Sequence, residues 1–306
     1  MSLAEQAVDS INGVFGRHAG FRAAHAKGIT CRGTFTAAAD AASLTRAPHM
    51  QGDPVDVTVR FSNASGHPLA PDASGARGMA VKFHLDDGKR TDIVAITLPC
   101  FFVNDPKNFI RFNRAIECDR GTHLTKIRPG RLLLFAIAHP IAAWKARTAA
   151  GAARRLGPVP SFANCRFNGI HAFKWTGVDG RSRFVRYSWI PAAGEPGMSR
   201  DDARGRDADF LEREIAERLA QAPVRFALEL QIAGERDRTD DATVVWPADR
   251  ETVAAGTLEL TAIDPSAEAL VFDPTFLVDG IEPSGDPILN FRRHAYKVSA
   301  ERRGAA

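Results

Sequence analysis

The sequence predicts an α+β fold. Strand-like segments lie near both ends of the 306-residue chain, and helix-like segments are concentrated between them. Such a distribution is typical of α+β proteins and differs from the regular strand–helix alternation of α/β proteins. Hydrophobic residues make up 44% of the chain and charged residues 25%, which is typical of a globular protein long enough to bury a substantial core.

The first elements follow from two different periodicities. Residues 2–15 are predicted to form a short amphipathic helix, because apolar residues recur about every four positions. This helix belongs to an N-terminal arm over residues 1–20. Residues 55–62 have apolar side chains at odd positions and polar ones at even positions, which predicts a strand with two different faces. Arg60 and Ser62 lie on the same face of that strand.

The remaining elements are predicted in the same way. Strands are expected at residues 79–84, 92–97, 182–189, 225–232 and 257–263. Helices are expected at residues 106–118, 131–147, 205–221 and 287–303. The stretch 148–165 is rich in Ala, Gly, Arg and Pro and is interpreted as a connection rather than a domain boundary. We therefore expect one domain over residues 1–306.

Composition excludes several classes of function. The net charge of +4 is spread along the chain without a block of consecutive basic residues, so a nucleic-acid partner is not expected. Glycine-rich stretches lack the phosphate-binding patterns of nucleotide sites. The four cysteines have no CxxC spacing, which argues against zinc and for free, partly buried thiols; they are Cys31, Cys100, Cys118 and Cys165.

No targeting or membrane-spanning segment is predicted. The N-terminus is acidic where a signal peptide would be basic, and it has no long apolar core. No run approaches the ~18–20 apolar residues of a membrane span, and residues 132–144 are interrupted by His139 and Pro140. We therefore expect a cytoplasmic protein with no membrane partner.

Arg292 and Tyr296 lie four residues apart in a strongly basic, helix-like segment near the end of the chain. This spacing places the two side chains on one helical face, and Arg303 falls about 20° away around an ideal helix. A guanidinium beside a phenol favours the phenolate, and a phenolate is a known axial ligand of haem iron. The alternative is an ordinary amphipathic helix with surface arginines and a half-buried tyrosine.

Six further blocks of sequence occur in a fixed order along the chain. They are Arg22-x-x-His25-Ala-Lys-Gly28, Val59-Arg60-Phe61-Ser62, Arg77-Gly-Met-Ala-Val-Lys-Phe83, Pro99-Cys-Phe101-Phe102-Val-Asn-Asp105-Pro106, Val245-Trp246-Pro247, and Phe272-Asp-Pro274 through Gly280-Ile-Glu-Pro-Ser284. Taken together, these blocks resemble the haem-containing catalases in their order and in the spacing inside each block. Residues 168–174 fit the same pattern more loosely, and the resemblance runs from about residue 21 to residue 303.

The resemblance implies a single catalase-core domain, an antiparallel β-barrel of about eight strands with flanking helices, that holds b-type haem. Residues 287–303 would form the helix that carries the proximal tyrosine. Because the matched blocks reach nearly to the end of the chain, the sequence resembles the small catalase-related haem peroxidases, which lack the C-terminal extension of larger catalases.

The resemblance also assigns roles to individual residues. His25 would be the acid–base group for peroxide cleavage, for which a near-neutral imidazole is suited, and Ser62 would orient it. A histidine satisfied by a single backbone hydrogen bond is the alternative. The residues that would contact haem are Arg22, Arg60 and Arg303 at the propionates, Phe109 on the distal face, and Arg292 beside the iron ligand Tyr296.

Two departures from the catalase pattern affect the expected activity. Ile96 stands where catalases place the distal asparagine, and an isoleucine cannot donate a hydrogen bond to peroxide. Losing such a donor typically costs ~2–4 kcal/mol of transition-state stabilisation. Ala248 replaces the histidine of NADPH-binding catalases, which argues against that second cofactor.

The resemblance therefore implies a peroxidase that reduces hydrogen peroxide or organic hydroperoxides through a ferryl intermediate, with a small organic reductant as partner and weak catalase activity. Two alternatives remain open, namely a fatty-acid hydroperoxide dehydratase or isomerase, and a non-enzymatic haem carrier or sensor. The sequence also leaves open a homodimer or another homo-oligomer.

Overall fold

The computed structural model describes residues 1–73, 75–86, 88–117 and 129–304. The strands in this part of the chain are β1 (Gly28–Ala37), β2 (Val55–Asn63), β3 (Arg77–His84), β4 (Arg90–Ile96), β5 (Phe167–Asn168), β6 (Phe173–Thr176), β7 (Ser182–Pro191), β8 (Val224–Ile232), β9 (Thr252–Ile263) and β10 (Ile281–Pro283). The helices are α1 (Leu3–Phe15), α2 (Ala39–Leu44), α3 (Pro106–Ile116), α4 (Pro129–Ala138), α5 (Pro140–Arg155), α6 (Arg200–Arg204), α7 (Phe210–Gln221) and α8 (Pro287–Arg302).

Eight of the strands close into an antiparallel barrel. The hydrogen-bonded order runs β7-β5-β4-β3-β2-β1-β9-β8, and the pairing of β7 with β8 completes the ring. β6 and β10 extend the sheet from β7. The expected α+β fold with a barrel of about eight strands is confirmed. Closure leaves no free edge along the barrel itself, so every long strand has hydrogen-bonding partners on both sides.

The alternation along β2 separates the barrel core from a second buried face. Val57, Val59 and Phe61 belong to the main apolar core, which is filled by large side chains such as Trp189. Arg60 and Ser62 on the opposite face are buried as well, each at 4% exposure. Buried polar side chains need hydrogen-bond partners that the apolar core does not supply.

β1 is the main strand that the sequence did not reveal. Its buried residues Cys31, Phe35 and Ala37 follow a period of two, but Gly33 interrupts the apolar pattern. The structure explains this glycine, because a Cβ at position 33 would lie 2.0 Å from the backbone oxygen of Glu259 on β9. The register of β1 against β9 also shifts at this point, which is typical of a β-bulge.

The central helices differ from the predictions in their boundaries. The expected helix 131–147 is two helices, α4 and α5, since Pro140 cannot continue the hydrogen-bond ladder and instead begins α5. α5 continues to Arg155, so the first part of the predicted 148–165 connection is helical. The expected helix 205–221 begins only at Phe210, and the separate short helix α6 precedes it.

The other predicted elements are confirmed to within a few residues. They comprise the N-terminal helix, the helix that begins at residue 106, the C-terminal helix and the five additional strands. Three cysteines, Cys31, Cys100 and Cys165, are free and buried, and Cys118 lies outside the described residues. No helix in the described ranges is both long and apolar enough to cross a bilayer.

Gly33→Ala should destabilise the barrel, because the new methyl group would collide with the β9 backbone rather than with a movable side chain. We expect the free energy of unfolding to fall by ~1–3 kcal/mol, the usual cost of overpacking. Chemical denaturation followed by circular dichroism would measure the change. The matched control is Gly151→Ala in α5, where the nearest atom is 3.7 Å away. Alanine there should leave stability unchanged or raise it by about 0.5–1 kcal/mol, and equal losses in both variants would contradict the expectation.

Candidate active site

A cavity of about 420 Å³ lies between strands β2, β3 and β4 and helices α1, α3 and α8. Most of its wall is apolar, and the polar groups are confined to a few side chains. This volume is within the range of small-molecule and cofactor sites. All eight residues singled out from the sequence line this cavity: Arg22, His25, Arg60, Ser62, Phe109, Arg292, Tyr296 and Arg303.

His25 is held in an unusual backbone conformation next to Ser62. Its Nδ1 lies 2.9 Å from the Ser62 hydroxyl oxygen, and its φ of 56° is the one positive value among the described non-glycine residues. A positive φ costs energy in a non-glycine residue, and it persists where the surrounding structure imposes it. Here the pairing of Gly28 with Ser62 between β1 and β2 fixes the chain just after the histidine.

Gly78 on β3 completes the pocket around the imidazole. A Cβ at this position would lie 2.7 Å from His25 Cε1 and 2.8 Å from the Ser62 hydroxyl oxygen. Any larger residue would therefore displace the histidine, the serine or both. Position 78 requires glycine because the β3 backbone packs directly against the imidazole ring. This close approach restricts the ring on a side that Ser62 does not cover.

The His25 ring is neutral at physiological pH. Burial, together with the charges of Arg60, Arg292 and Arg22, lowers its pKa to about 3. A neutral imidazole can accept a proton, so the arrangement suits a general base.

Three arginines lie at one side of the cavity, and two of them share a single carboxylate. Arg22 and Arg60 both donate hydrogen bonds to Glu268, with Arg60 Nε at 3.0 Å from each carboxylate oxygen. Within the described residues, Arg303 instead donates to the carbonyls of Ala269 and Leu270, both at 3.3 Å. Its Nε is buried and has no hydrogen-bond partner among the described residues.

The charges of this arginine group are incompletely balanced. Burial and the neighbouring Arg60 lower the pKa of Arg22 to about 9, and burial lowers the pKa of Arg303 as well. Both shifts mean that the surroundings disfavour the charged form of these two guanidinium groups. Because Glu268 offers one negative charge to three guanidinium groups, the site is suited to an additional ligand with carboxylate or phosphate groups.

Arg292 and Tyr296 are in contact in the middle turns of α8, and both line the cavity. Arg292 Nε donates to the phenol oxygen at 3.0 Å, and a second hydrogen bond comes from its Nη2. The guanidinium also lies 5.1 Å from the centre of the Tyr296 ring. The spacing of four residues thus brings the two groups together as the sequence predicted.

Asp286 anchors the helix that carries this tyrosine. Its Oδ1 accepts hydrogen bonds from the backbone of Ile288 and Leu289 at the start of α8, and its Oδ2 lies 2.8 Å from His171 Nδ1. A carboxylate only accepts, so Nδ1 carries the proton. His171, which the sequence placed only in the looser block, therefore helps fix α8, and Asp286 was not recognised at all.

Ile96 and Phe109 contribute to the apolar wall. Ile96 ends β4 at the cavity, and the Phe109 ring stacks on Phe101 at a centroid distance of 6.1 Å. Asn113 of α3 also lines the cavity, but its amide nitrogen donates to Ser10 of α1 at 3.1 Å. The helices α1 and α3 are thereby joined across the cavity wall.

Comparisons with known proteins identify the family. The catalase family model matches residues 15–306. The chain is 43% identical to a catalase-related peroxidase of Mycolicibacterium paratuberculosis over 98% of this chain and 94% of that protein. It is 34% identical to a catalase-related peroxidase of Synechococcus elongatus, over 98% of this chain and 88% of the relative. The chain belongs to the catalase family of peroxide-acting oxidoreductases.

Solved structures support the same fold. A fungal catalase superposes with a TM-score of 0.80 at 21% identity, and a bacterial catalase with 0.77 at 22% identity. The matches cover 98% and 94% of this chain, but only 62% and 58% of those catalases. The chain therefore spans about six tenths of the solved catalases that it matches.

Glu268→Gln should destabilise the protein, because it removes the only carboxylate bonded to Arg22 and Arg60 among the described residues. We expect the free energy of unfolding to fall by ~1–3 kcal/mol, the usual cost of leaving a buried polar group without its partner. Added phosphate should restore part of the lost stability. Thermal unfolding in the presence and absence of phosphate would measure both. Glu282→Gln is the matched control, since its partner Lys174 lies on the surface. Equal effects of the two substitutions would show that Glu268 has no special role.

Proposed function

We propose that the protein is a haem-dependent peroxidase, and that residues 1–306 form one haem-binding domain. The observation that carries the proposal is the convergence of two pairs, His25 with Ser62 and Tyr296 with Arg292, on one largely apolar cavity. Catalases are haem-dependent, and the cavity has the chemistry that a haem requires. Its wall is apolar, and three arginines with one carboxylate are available for two propionates.

In this proposal the chain's own residues hold b-type haem. Tyr296 would be the iron ligand, and Arg292 donates two hydrogen bonds to its oxygen. Arg22, Arg60 and Arg303 would bind the propionates, and Phe109 would pack against the macrocycle. The bound haem would supply the two electrons that break the O–O bond of a peroxide.

His25 performs the proton transfers. Its neutral imidazole takes the proton from the peroxide oxygen that is retained and returns it to the oxygen that leaves. Ser62 holds the ring in the orientation that these transfers need. An organic donor then returns two electrons and two protons, so a hydroperoxide is reduced to an alcohol and water while the donor is oxidised. Disproportionation of hydrogen peroxide is expected to be slow, because Ile96 offers no hydrogen bond to peroxide.

A dehydratase or isomerase acting on fatty-acid hydroperoxides is the second candidate. The apolar residues that α1 and α3 contribute to the cavity favour it, since they suit an acyl chain; they include Val8, Ile11, Phe15, Phe112 and Ile116. Product analysis with a lipid hydroperoxide and no reducing donor separates the two reactions. The contact between His25 and Ser62 argues against a simple haem carrier, because haem storage does not need a positioned base.

Tyr296→Phe should lose haem or convert it to a form ligated by water or histidine, because phenylalanine has no oxygen to bind iron. The absorption spectrum of the purified variant measures this directly. Tyr187→Phe is the matched control, since Tyr187 is buried against Trp175 and does not line the cavity. A spectrum unchanged by Tyr296→Phe would overturn the assignment of the iron ligand.

His25→Ala should retain haem but lower the rate of reaction with peroxide by ~10²–10⁴, the usual contribution of a positioned acid–base group. Stopped-flow spectroscopy would measure the rate. Since the pKa of His25 is lowered to about 3, the ring stays unprotonated as the pH falls from 8 to 5. The rate of the unmodified protein should therefore be nearly constant over that range. A decrease of less than tenfold in the variant would mean that His25 is not the catalytic group.

Ile96→Asn should restore a hydrogen-bond donor in the cavity and raise oxygen evolution from hydrogen peroxide at least tenfold. This allows for imperfect geometry relative to the ~10²–10³ of a well-placed donor. An oxygen electrode measures the change, and Ile96→Val, which adds no donor, is the control. Rapid oxygen evolution by the unmodified protein would instead indicate an ordinary catalase.

A further inference from the structure

Helices α4 and α5 present a continuous run of exposed apolar side chains, here called the α4–α5 surface. Its five large members are between 62% and 74% exposed, and they recur at spacings of three or four residues on both sides of the break at Pro140. They are Leu133, Leu134, Ile137, Ile141 and Trp144. Such a cluster is unusual on a protein surface and is typical of an interaction site.

The same two helices are strongly basic. Residues 129–155 carry five basic side chains and no acidic one, in a chain whose net charge is only +4. Lys145 is paired with Asp241, but Arg131, Arg154 and Arg155 are exposed and form no ion pair with any described residue. The Arg147 guanidinium lies 3.3 Å from the centre of the exposed Trp144 ring. The α4–α5 surface is therefore both apolar and cationic.

We propose that the α4–α5 surface binds the face of an anionic phospholipid bilayer. Leucine, isoleucine and tryptophan side chains beside arginines are the composition of helices that lie in a membrane interface. The tryptophan ring suits the headgroup level, and each basic residue gains from the negative surface potential. Two copies of this chain that met through this surface would instead bring like charges together.

This contact does not require a membrane-spanning segment. The sequence predicts no membrane partner, because no apolar run is long enough to cross a bilayer. A surface that rests on the bilayer buries only its outer side chains, and the helices keep their backbone hydrogen bonds satisfied internally. Lengths of ten residues in α4 and sixteen in α5 are sufficient for that.

Aromatic contacts connect this surface to the candidate active site. On the buried side of α4, the Phe135 ring lies 5.7 Å from Phe112 of α3. Phe112 in turn lies 4.8 Å from Phe102, and both of these line the cavity. A bilayer that touches the α4–α5 surface would therefore be separated from the apolar wall of the cavity by one layer of packed side chains. If the proposed peroxidase function holds, on which this step rests, hydroperoxides of membrane lipids are the substrate class that the location favours.

Binding can be tested with the haem-loaded protein and vesicles made from equal parts of phosphatidylglycerol and phosphatidylcholine. We expect the protein to co-float with these vesicles, to bind pure phosphatidylcholine weakly, and to dissociate as the ionic strength rises. Trp144 is the one exposed tryptophan of four, since Trp175, Trp189 and Trp246 are buried. A blue shift of tryptophan emission on binding therefore reports on this surface.

Leu134→Glu combined with Ile141→Glu should weaken vesicle binding at least tenfold and abolish the blue shift. Val178→Glu is the matched control, because Val178 is equally exposed but lies between β6 and β7. Failure of the unmodified protein to float would overturn the proposal, and so would flotation that the double variant leaves intact. A dimer in solution that the double variant dissociates, without vesicle binding, would show that a second copy covers the surface instead.

The inference that membrane lipid hydroperoxides are the substrate needs a separate measurement. The double variant should slow turnover of a phospholipid hydroperoxide presented in anionic vesicles, while turnover of a small water-soluble hydroperoxide stays unchanged. If the proposed function is wrong, neither hydroperoxide is turned over although flotation persists. Equal turnover of the vesicle substrate by both proteins would instead show that bilayer contact does not deliver the substrate.

Discussion

The antiparallel pairing of β1 with β2 is the contact on which the candidate active site depends. It aligns Gly28 with Ser62, and so places His25 over the serine with a positive φ. The guanidinium of Arg60 then donates hydrogen bonds to the carbonyl oxygens of His25 and Ala26. A Cβ on Gly28 would lie 2.3 Å from the Phe61 carbonyl oxygen and 2.7 Å from Arg60 Cζ, so the close approach of these strands needs a glycine. Backbone register thus positions the side chain that we propose as the acid–base group.

The second constraint is electrostatic. Arg22, Arg60 and Arg303 are packed beside an apolar cavity, and Glu268 is the one carboxylate that bonds this group among the described residues. Burial lowers the pKa of His25, and the charges of Arg60 and Arg22 add to this effect. The same imbalance therefore favours an anionic ligand and keeps the imidazole in its proton-accepting form. A bound dianion would relieve the repulsion within the arginine group, which links ligand binding to stability.

A cavity with apolar walls beside an apolar, cationic helix surface suggests a common use for both. α3 connects them, because it contributes Phe112 to the cavity and packs against Phe135 of α4. Larger and less polar peroxides gain more from such an environment than hydrogen peroxide does. The isoleucine at position 96 is consistent with this preference, since it replaces a polar group by an apolar one at the cavity wall.

The sequence by itself determined the elements whose signals are local. The alternation along β2 and the Arg292–Tyr296 spacing were readable because strand and helix periods fix which side chains share a face. The ordered blocks also indicated the family and thereby His25 and Ser62. Only the tertiary structure decided that β1 is a strand, that Glu268 bridges Arg22 and Arg60, and that Asp286 anchors α8 through His171. Glu268 is 246 residues from Arg22, and Asp286 is 115 from His171. Such contacts arise because barrel closure brings distant segments together, and no local pattern records which of them will meet.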